Sequence, residues 1–344
     1  MQISEAEQAA MHRALALAET VRGRTSPNPP VGAVILATDE SLAGEGATAP
    51  AGGPHAEVAA LAAAGDAARG GTAIVTLEPC AHAGRTGPCA DALIAAGVTR
   101  VVYAVDDPNP GAAGGADRLR EAGIAVVGGV DETTAASAAL RPWLHSMRTG
   151  RPFVTWKYAA TLDGRVAAAD GSSRWISSVV SRIDAHELRG VVDAIVVGSG
   201  TVLADDPRLT VRHGDVLAAR QPLRVVLDRR HRVPEDALVF DASAETLVLD
   251  TAVPRFALKA LYDLGVRHAL LEGGPTLAGA FLEARCIDEV IAYLAPKLLG
   301  AGANVLGEAG IHSIGRAVTL GIDDVSRLGD DLKIVGRPLW IEGE

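Results

Sequence analysis

The feature that most restricts how this chain can fold is a set of three side chains that need to meet at one point: His55, Cys80 and Cys89. One imidazole and two thiols are borderline-to-soft metal ligands, and three protein ligands on zinc leave the fourth tetrahedral position for water. Glu57, with only Ala56 between it and the imidazole, supplies a carboxylate that stays off the metal to move protons. His-x-Glu, then Pro79-Cys80, then a second Cys is an order that points to zinc-dependent deamination chemistry. The plainer reading is two core cysteines, because a free thiol packs as a small hydrophobe. The ordered pattern argues against it here. It holds for Cys286, which has no ligand-like neighbours in Leu282-Glu283-Ala284-Arg285-Cys286-Ile287.

Local patterns place these residues at the ends of elements. Ser4 and Glu7 form a capping-box pattern ahead of an Ala/Leu-rich helix running to about Val21, and Pro27-Asn28-Pro29-Pro30 breaks it. Val31 to Leu36 reads as a buried strand, 55–64 as a helix carrying His55 and Glu57 in its first turn, and Thr72 to Leu77 as a second strand ending at Glu78-Pro79-Cys80. Cys89 opens a helix to Ala96, and Val98 to Val105 returns as a strand. Both cysteines are thus expected at strand-to-helix transitions, where helix N-termini favour the thiolate. The pattern continues through Ile124 to Val127 and a helix from about Glu132 to Ser146. Alternating strands and helices imply a mostly parallel sheet covered on both faces.

Thr149-Gly150-Arg151-Pro152 interrupts the periodicity and is taken as the domain boundary, giving domains 1–147 and 148–344. The second half restarts with strand patterns at 153–158, 194–197, 223–227, 246–249 and 268–272. Two of these enter glycine turns, Gly198-Ser199-Gly200-Thr201 and Gly273-Gly274-Pro275-Thr276, the second opening a helix near Leu277. Such turns expose N–H groups and a positive dipole end to phosphate, although glycine at such a junction often serves backbone conformation alone. Neither turn matches the full G-x-G-x-x-G fingerprint, so an ordinary Rossmann assignment is not licensed.

Composition limits the partners. A net charge of −10 and only 3% aromatic residues exclude the basic, stacking surface that nucleic acids require. Three Cys, two claimed by a metal, give no disulfide framework and suit a reducing, cytoplasmic setting. The polar, acidic start and the lack of a bilayer-length apolar stretch leave secretion and membrane insertion unsupported.

With these residues in view, the first half resembles the cytidine-deaminase-like domain of the bifunctional deaminase/reductases of riboflavin biosynthesis. The second half resembles their dihydrofolate-reductase-like reductase domain. The carrying stretches are Asn28-Pro29-Pro30-Val31-Gly32, Pro54-His55-Ala56-Glu57-Val58, Thr76-Leu77-Glu78-Pro79-Cys80, Gly84-Arg85-Thr86, Pro88-Cys89 and Asp107-Pro108-Asn109-Pro110. In the second half they are Ser173-Arg174-Trp175-Ile176, Thr201 through Pro207, Glu272-Gly273-Gly274-Pro275-Thr276 and Ala295-Pro296-Lys297-Leu298-Leu299-Gly300. Eight residues between Cys80 and Cys89, rather than two, mark this family within the wider deaminase group. The implied fold class is α/β: an N-terminal cytidine-deaminase-like three-layer α/β/α domain plus a C-terminal dihydrofolate-reductase-like α/β domain.

The resemblance implies hydrolytic deamination of a diaminopyrimidinone ribosylamino phosphate, followed by NADPH-dependent reduction of its ribosyl side chain to ribityl. It implies one Zn2+ per deaminase domain, held by His55, Cys80 and Cys89, with Glu57 as general base and then acid. Asn28 and His82 match positions contacting the pyrimidine or ribose, and Arg85 a position meeting the phosphate. Thr48 stands where the family usually carries His, seven residues before His55, which implies altered phosphate affinity or pH dependence. In the reductase, Ala159, Trp175, Thr201, Asp205, Gly274, Pro275 and Thr276 match NADPH/NADP+-contacting positions. Lys157, Ser173, Arg189, Leu209, Arg212 and Glu272 match substrate positions, with Arg189 and Arg212 as phosphate clamps. On spacing alone, Trp175 reads as core and Arg189 as a helix-surface charge. The proton donor in reduction stays open among Lys157, Asp205 and Glu272. Arg229, after Asp228, faces either the cofactor's 2′-phosphate or solvent. Homo-oligomerisation and a small phosphorylated pyrimidine substrate, with no nucleic acid or membrane partner, complete the expectation.

Two other readings use the same residues. A nucleic-acid or nucleoside deaminase with an accessory domain shares the first-half chemistry, but editing a strand requires a basic channel and stacking aromatics. A non-catalytic binding protein with a decayed reductase half conflicts with the intact stretches from Thr201 to Pro207 and Glu272 to Thr276.

Overall fold

Helix α1 (Glu5–Thr20) starts as the capping box requires: Ser4 Oγ accepts the Glu7 N–H at 3.1 Å, and a Glu7 carboxylate oxygen accepts the Ser4 N–H at 2.9 Å. The computed structural model describes residues 3–82 and 87–340 and divides the chain into two compact units, Met1–Gly150 and Arg151–Glu344. Among the described residues no helix is long and apolar enough to cross a membrane.

The first unit is a five-stranded sheet in the order Leu42–Ala47, Gly32–Leu36, Thr72–Leu77, Arg100–Val105, Ala125–Val127. Gly32–Leu36 runs antiparallel to both neighbours and the last three strands pair in parallel, so Gly32–Leu36 alone of the five is reversed. The expected mostly parallel sheet is thus present in strand direction, interrupted by one reversed strand that makes two of its four pairings antiparallel. A connection of only five residues, 37–41, joins Gly32–Leu36 to Leu42–Ala47, and a link that short makes a hairpin rather than a crossover. Gly32 faces α1, where an added Cβ would lie 1.9 Å from the Ala14 carbonyl oxygen. Gly46, paired with Ala33 and so on the opposite face, packs closely on the helix Ala56–Ala64, where an added Cβ would lie 2.6 Å from the Ala60 nitrogen. Helices thus cover both faces, in three layers. The single helix expected over 132–146 is two, Glu132–Ser137 and Arg141–Thr149, because Pro142 has no N–H for the Ala138 carbonyl and fits only a first turn.

The second unit is an eight-stranded sheet in the order Thr246–Leu249, Leu223–Leu227, Ala194–Gly198, His268–Leu271, Phe153–Thr161, Glu289–Ala295, Asp331–Leu339, Thr319–Leu328. The first six strands pair in parallel, and the last two join by antiparallel pairings. Along Ala194–Gly198 the buried side chains alternate between two cores: Val196 joins Leu258, Leu261 and Phe281, whereas Ile195 and Val197 join Val202, Leu209 and Leu188. Such burial on both faces is the signature of a helix-covered parallel sheet.

Candidate functional site

The antiparallel pairing of Gly32–Leu36 brings its start beside the end of Thr72–Leu77, where the Gly32 N–H donates to Thr76 Oγ1 at 3.1 Å. Asn28, whose backbone is tied in both directions to Thr25, therefore enters at the sheet edge from which Glu78-Pro79-Cys80 leaves. His55 is the N-cap of Ala56–Ala64, Glu57 lies in its first turn, and Cys89 opens the helix Cys89–Ala96. Cys80 is in coil, not at a helix start, which corrects the expectation for that thiol. A helix N-terminus still serves it, because the free Cys89 N–H donates to Cys80 Sγ at 3.3 Å.

The His55, Cys80 and Cys89 ligand atoms lie within 4.8 Å of one another. For tetrahedral zinc with Zn–N of about 2.0 Å and Zn–S of about 2.3 Å, nitrogen and sulfur stand about 3.5 Å apart. His55 Nδ1 is 3.3 Å from Cys89 Sγ and 3.8 Å from Cys80 Sγ, so the donor set fits such an ion. The hydrogen bond from Cys89 is the main reason Cys80 is pulled down to about 4; its partner Cys89, which gives that bond and is buried, is pushed up. A cation between them would remove the reason for holding the second proton. Glu57 is 4% exposed, and burial pushes its carboxyl up to about 7. At that value it can take or give a proton near neutral pH.

Of the other residues expected around this centre, His82 is exposed two positions beyond Cys80 and near Asp107, and Arg85 lies outside the described residues. Thr48 is buried, and its hydroxyl is spent on the backbone of Val31, accepting the N–H at 3.1 Å. It does not stand in for a ligand-binding His.

In the second unit the expected residues form three groups. Glu272, at the end of His268–Leu271, accepts the Arg189 fork through both oxygens at 2.6 and 2.8 Å, with Lys157 Nζ at 3.7 Å. Burial alone would raise the Glu272 carboxyl, but Arg189 and Lys157 outweigh it and hold it at about 2. Burial lowers Lys157, against the pull of Glu272. The third Arg189 nitrogen donates to the Thr210 carbonyl at 3.2 Å. Arg189 is therefore not a surface charge: three of its five N–H groups are committed within the protein, and one on each terminal nitrogen is left over. Arg212, the other position expected to clamp phosphate, is half-buried.

The second group joins the two glycine turns, where the Gly274 N–H donates to Thr201 Oγ1 at 3.2 Å. A Cβ at Gly200 would meet nothing within 4 Å and one at Gly274 only Thr201 Oγ1 at 3.8 Å, and neither has a positive φ. Nothing in the protein itself demands glycine there, and the open space suits a phosphate-bearing cofactor. Pro275 and Thr276 begin the helix Pro275–Glu283, and Ala159 lies two residues along the strand from Lys157, on the same face. The third group surrounds Trp175, which is 63% exposed, so the core-packing reading fails. Arg182 lies 4.5 Å over its ring, Arg174 donates to the Asp205 carbonyl at 2.7 Å, and Ser173 is half-buried in the same loop. Leu209 packs its side chain into a core cluster, so any ligand contact is through its main chain.

Sequence reasoning missed two contributors. Lys297 donates to the Trp175 and Ile176 carbonyls at 2.8 and 2.7 Å; its stretch was singled out but given no role. His186, one turn before Arg189, accepts the Arg212 N–H, and the i, i+3 spacing was the available signal.

Residues 4–105 match the cytidine and deoxycytidylate deaminase zinc-binding region, and residues 152–334, more than half the chain, match the RibD C-terminal domain. The riboflavin biosynthesis protein RibD of Mycobacterium tuberculosis is 51% identical, over 94% of this chain and 95% of its own. This chain belongs to the RibD family. The Escherichia coli RibD is 42% identical over 95% of this chain and 98% of its own. The Acinetobacter baumannii RibD structure superposes with a TM-score of 0.90 at 39% identity, covering 98% of this chain and 99% of that one. A Thermotoga maritima diaminohydroxyphosphoribosylaminopyrimidine deaminase/5-amino-6-(5-phosphoribosylamino)uracil reductase gives 0.84 at 34% identity, covering 97% and 99%. As a RibD protein, the chain is a bifunctional enzyme of riboflavin biosynthesis, with a zinc-binding, cytidine-deaminase-like half and a RibD C-terminal reductase half.

Proposed function

We propose that the chain converts 2,5-diamino-6-ribosylamino-4(3H)-pyrimidinone 5′-phosphate to 5-amino-6-(5-phosphoribitylamino)uracil, deaminating in residues 1–147 and reducing in 148–344. The observation that carries this reading is the convergence of His55, Cys80 and Cys89 with Glu57 buried beside them. One zinc at these ligands would activate water for attack on the amino-bearing ring carbon. Glu57 takes a proton from that water and passes it to the departing nitrogen, so that C–N breaks, C–O forms and ammonia leaves. Asn28, His82 and Arg85 orient the pyrimidine and its phosphate.

For the second step NADPH, against Gly200, Thr201, Gly274, Pro275 and Thr276 with Ala159, Trp175 and Asp205 beside it, would supply hydride to the first sugar carbon. Glu272, ionised at about 2, is an acceptor and not the donor. Lys157, buried and lowered, gives its proton to the imine nitrogen as that carbon is reduced. Arg212, Ser173 and the Leu209 main chain hold the phosphorylated side chain, and Arg189 acts through Glu272. The enzyme works in the cytoplasm as a homo-oligomer. Zinc analysis with a coupled assay tests the scheme: one zinc per chain, with ammonia release preceding NADPH loss, is the expected result. NADPH loss without ammonia would sink it.

Arg229 is exposed just beyond the strand Leu223–Leu227, and Arg232 in the same loop donates to Ser199 Oγ at 2.9 Å, beside the first glycine turn. Arg229→Ala is expected to cut the preference for NADPH over NADH by about tenfold or more, the scale of one charged hydrogen bond. An unchanged cofactor preference refutes a role at the 2′-phosphate.

A further inference from the structure

The segment Leu209–Arg212 is held at successive points. Arg189 binds the Thr210 carbonyl at 3.2 Å, and Gln221 grips Val211 from both sides, at 2.7 and 3.0 Å. At Arg212 itself, His186 Nδ1 accepts the backbone N–H at 3.3 Å. Beyond this point the chain enters a two-residue strand, Arg212–His213, paired with the exposed Val216–Leu217, which offers little packing to fix it. With the Arg189 fork closed on Glu272, Arg212 must recognise the phosphate with correspondingly less help. Its long side chain is useful only if the main chain from which it extends is fixed.

We propose that His186 is a positioning residue of the reductase: by accepting the Arg212 N–H on Nδ1, it sets the main chain that aims the Arg212 guanidinium at the substrate phosphate. This rests on the reading of Arg212 as the phosphate-binding side chain. His186 and Arg189 share one face of the helix Val179–Gly190, so the same helix turn that seats Glu272 also seats Arg212. The acceptor role requires a neutral ring. Burial and the cations of Arg189 and Arg212 lower His186 to about 4, against Glu272 and the Thr210 carbonyl.

The test is a double-mutant cycle on the full chain, supplied with the deaminated phosphorylated intermediate and with its dephosphorylated counterpart. Arg212→Ala should raise KM about tenfold or more for the phosphorylated substrate only. His186→Ala should raise the same KM about fivefold, with kcat and the KM for NADPH unchanged. His186→Asn, whose Oδ1 can occupy the place of Nδ1, should restore KM to within about twofold of the parent. In the Arg212→Ala background, His186→Ala should add nothing, because its effect runs through Arg212. An independent, additive loss, or an Asn variant as weak as Ala, overturns the role of His186 while leaving Arg212 in place. If Arg212→Ala affects both substrates alike or neither, the phosphate reading of Arg212 falls, and the proposal falls with it.

Discussion

Glu57→Gln is expected to lower ammonia release by roughly 10²–10⁴-fold, the span of a positioned general acid–base, while reduction of supplied intermediate continues at the parental rate. Gln keeps the size of Glu57 and can donate or accept hydrogen bonds, but it cannot carry a proton from water to the leaving nitrogen. The side chain is buried in the first turn of Ala56–Ala64, and burial holds its carboxyl near 7, so the native group shuttles a proton where the amide cannot. Zinc content should stay at the parental level, because Glu57 is not among the grouped ligand atoms. Ammonia assays, NADPH oxidation and metal analysis on one preparation separate the outcomes. Loss of both activities would mean that the substitution disturbs the fold or that the two halves depend on one another.

Arg189→Met should abolish reduction and destabilise the second unit by about 3–5 kcal/mol, the cost of leaving a buried charge without its partner. That corresponds to a fall in Tm on the order of 10 °C for a unit of this size. Arg189 gives two bonds to Glu272, whose side chain is only 9% exposed, leaving Lys157 at 3.7 Å as a poor substitute. The pH dependence has a definite sign. Glu272 sits at about 2, below its ordinary 4.5, so its contribution to stability is present above about 4.5 and disappears as pH falls toward 2. In the variant the carboxyl rises, and this acid-sensitive contribution disappears from the unfolding profile. A variant as stable as the parent, with an unchanged acid limb, would contradict the assignment of Arg189 as the group that keeps Glu272 ionised.

Local chemistry was legible in the residues themselves. The capping box at Ser4 and Glu7, the helix opening at Cys89 and the metal-ligand trio follow from side-chain types at short, fixed spacings, and the structure forms each of them. The antiparallel place of Gly32–Leu36 was not legible, because a continuous apolar run says only that a strand is buried, not which way its neighbours point. The hairpin strands Thr319–Leu328 and Asp331–Leu339 escaped for a different reason. Thr319–Leu328 is an edge strand, mostly exposed, carries Asp323, Asp324 and Arg327, and has a bulge that breaks the alternation.

The chain's residues alone therefore determined which chemistry is present: a thiol and imidazole trio, a nearby acid, and turns shaped for phosphate. Tertiary structure decided which charges are spent before any ligand arrives. Arg189 and Glu272 lie 83 positions apart, and nothing in their spacing announces a pairing that only the juxtaposed helix and strand end create. The same holds for Thr48 against Val31 and for His186 against Arg212. Hydrogen bonding is short-ranged and directional, so whether a polar side chain is free for a substrate depends on what folding has already placed beside it.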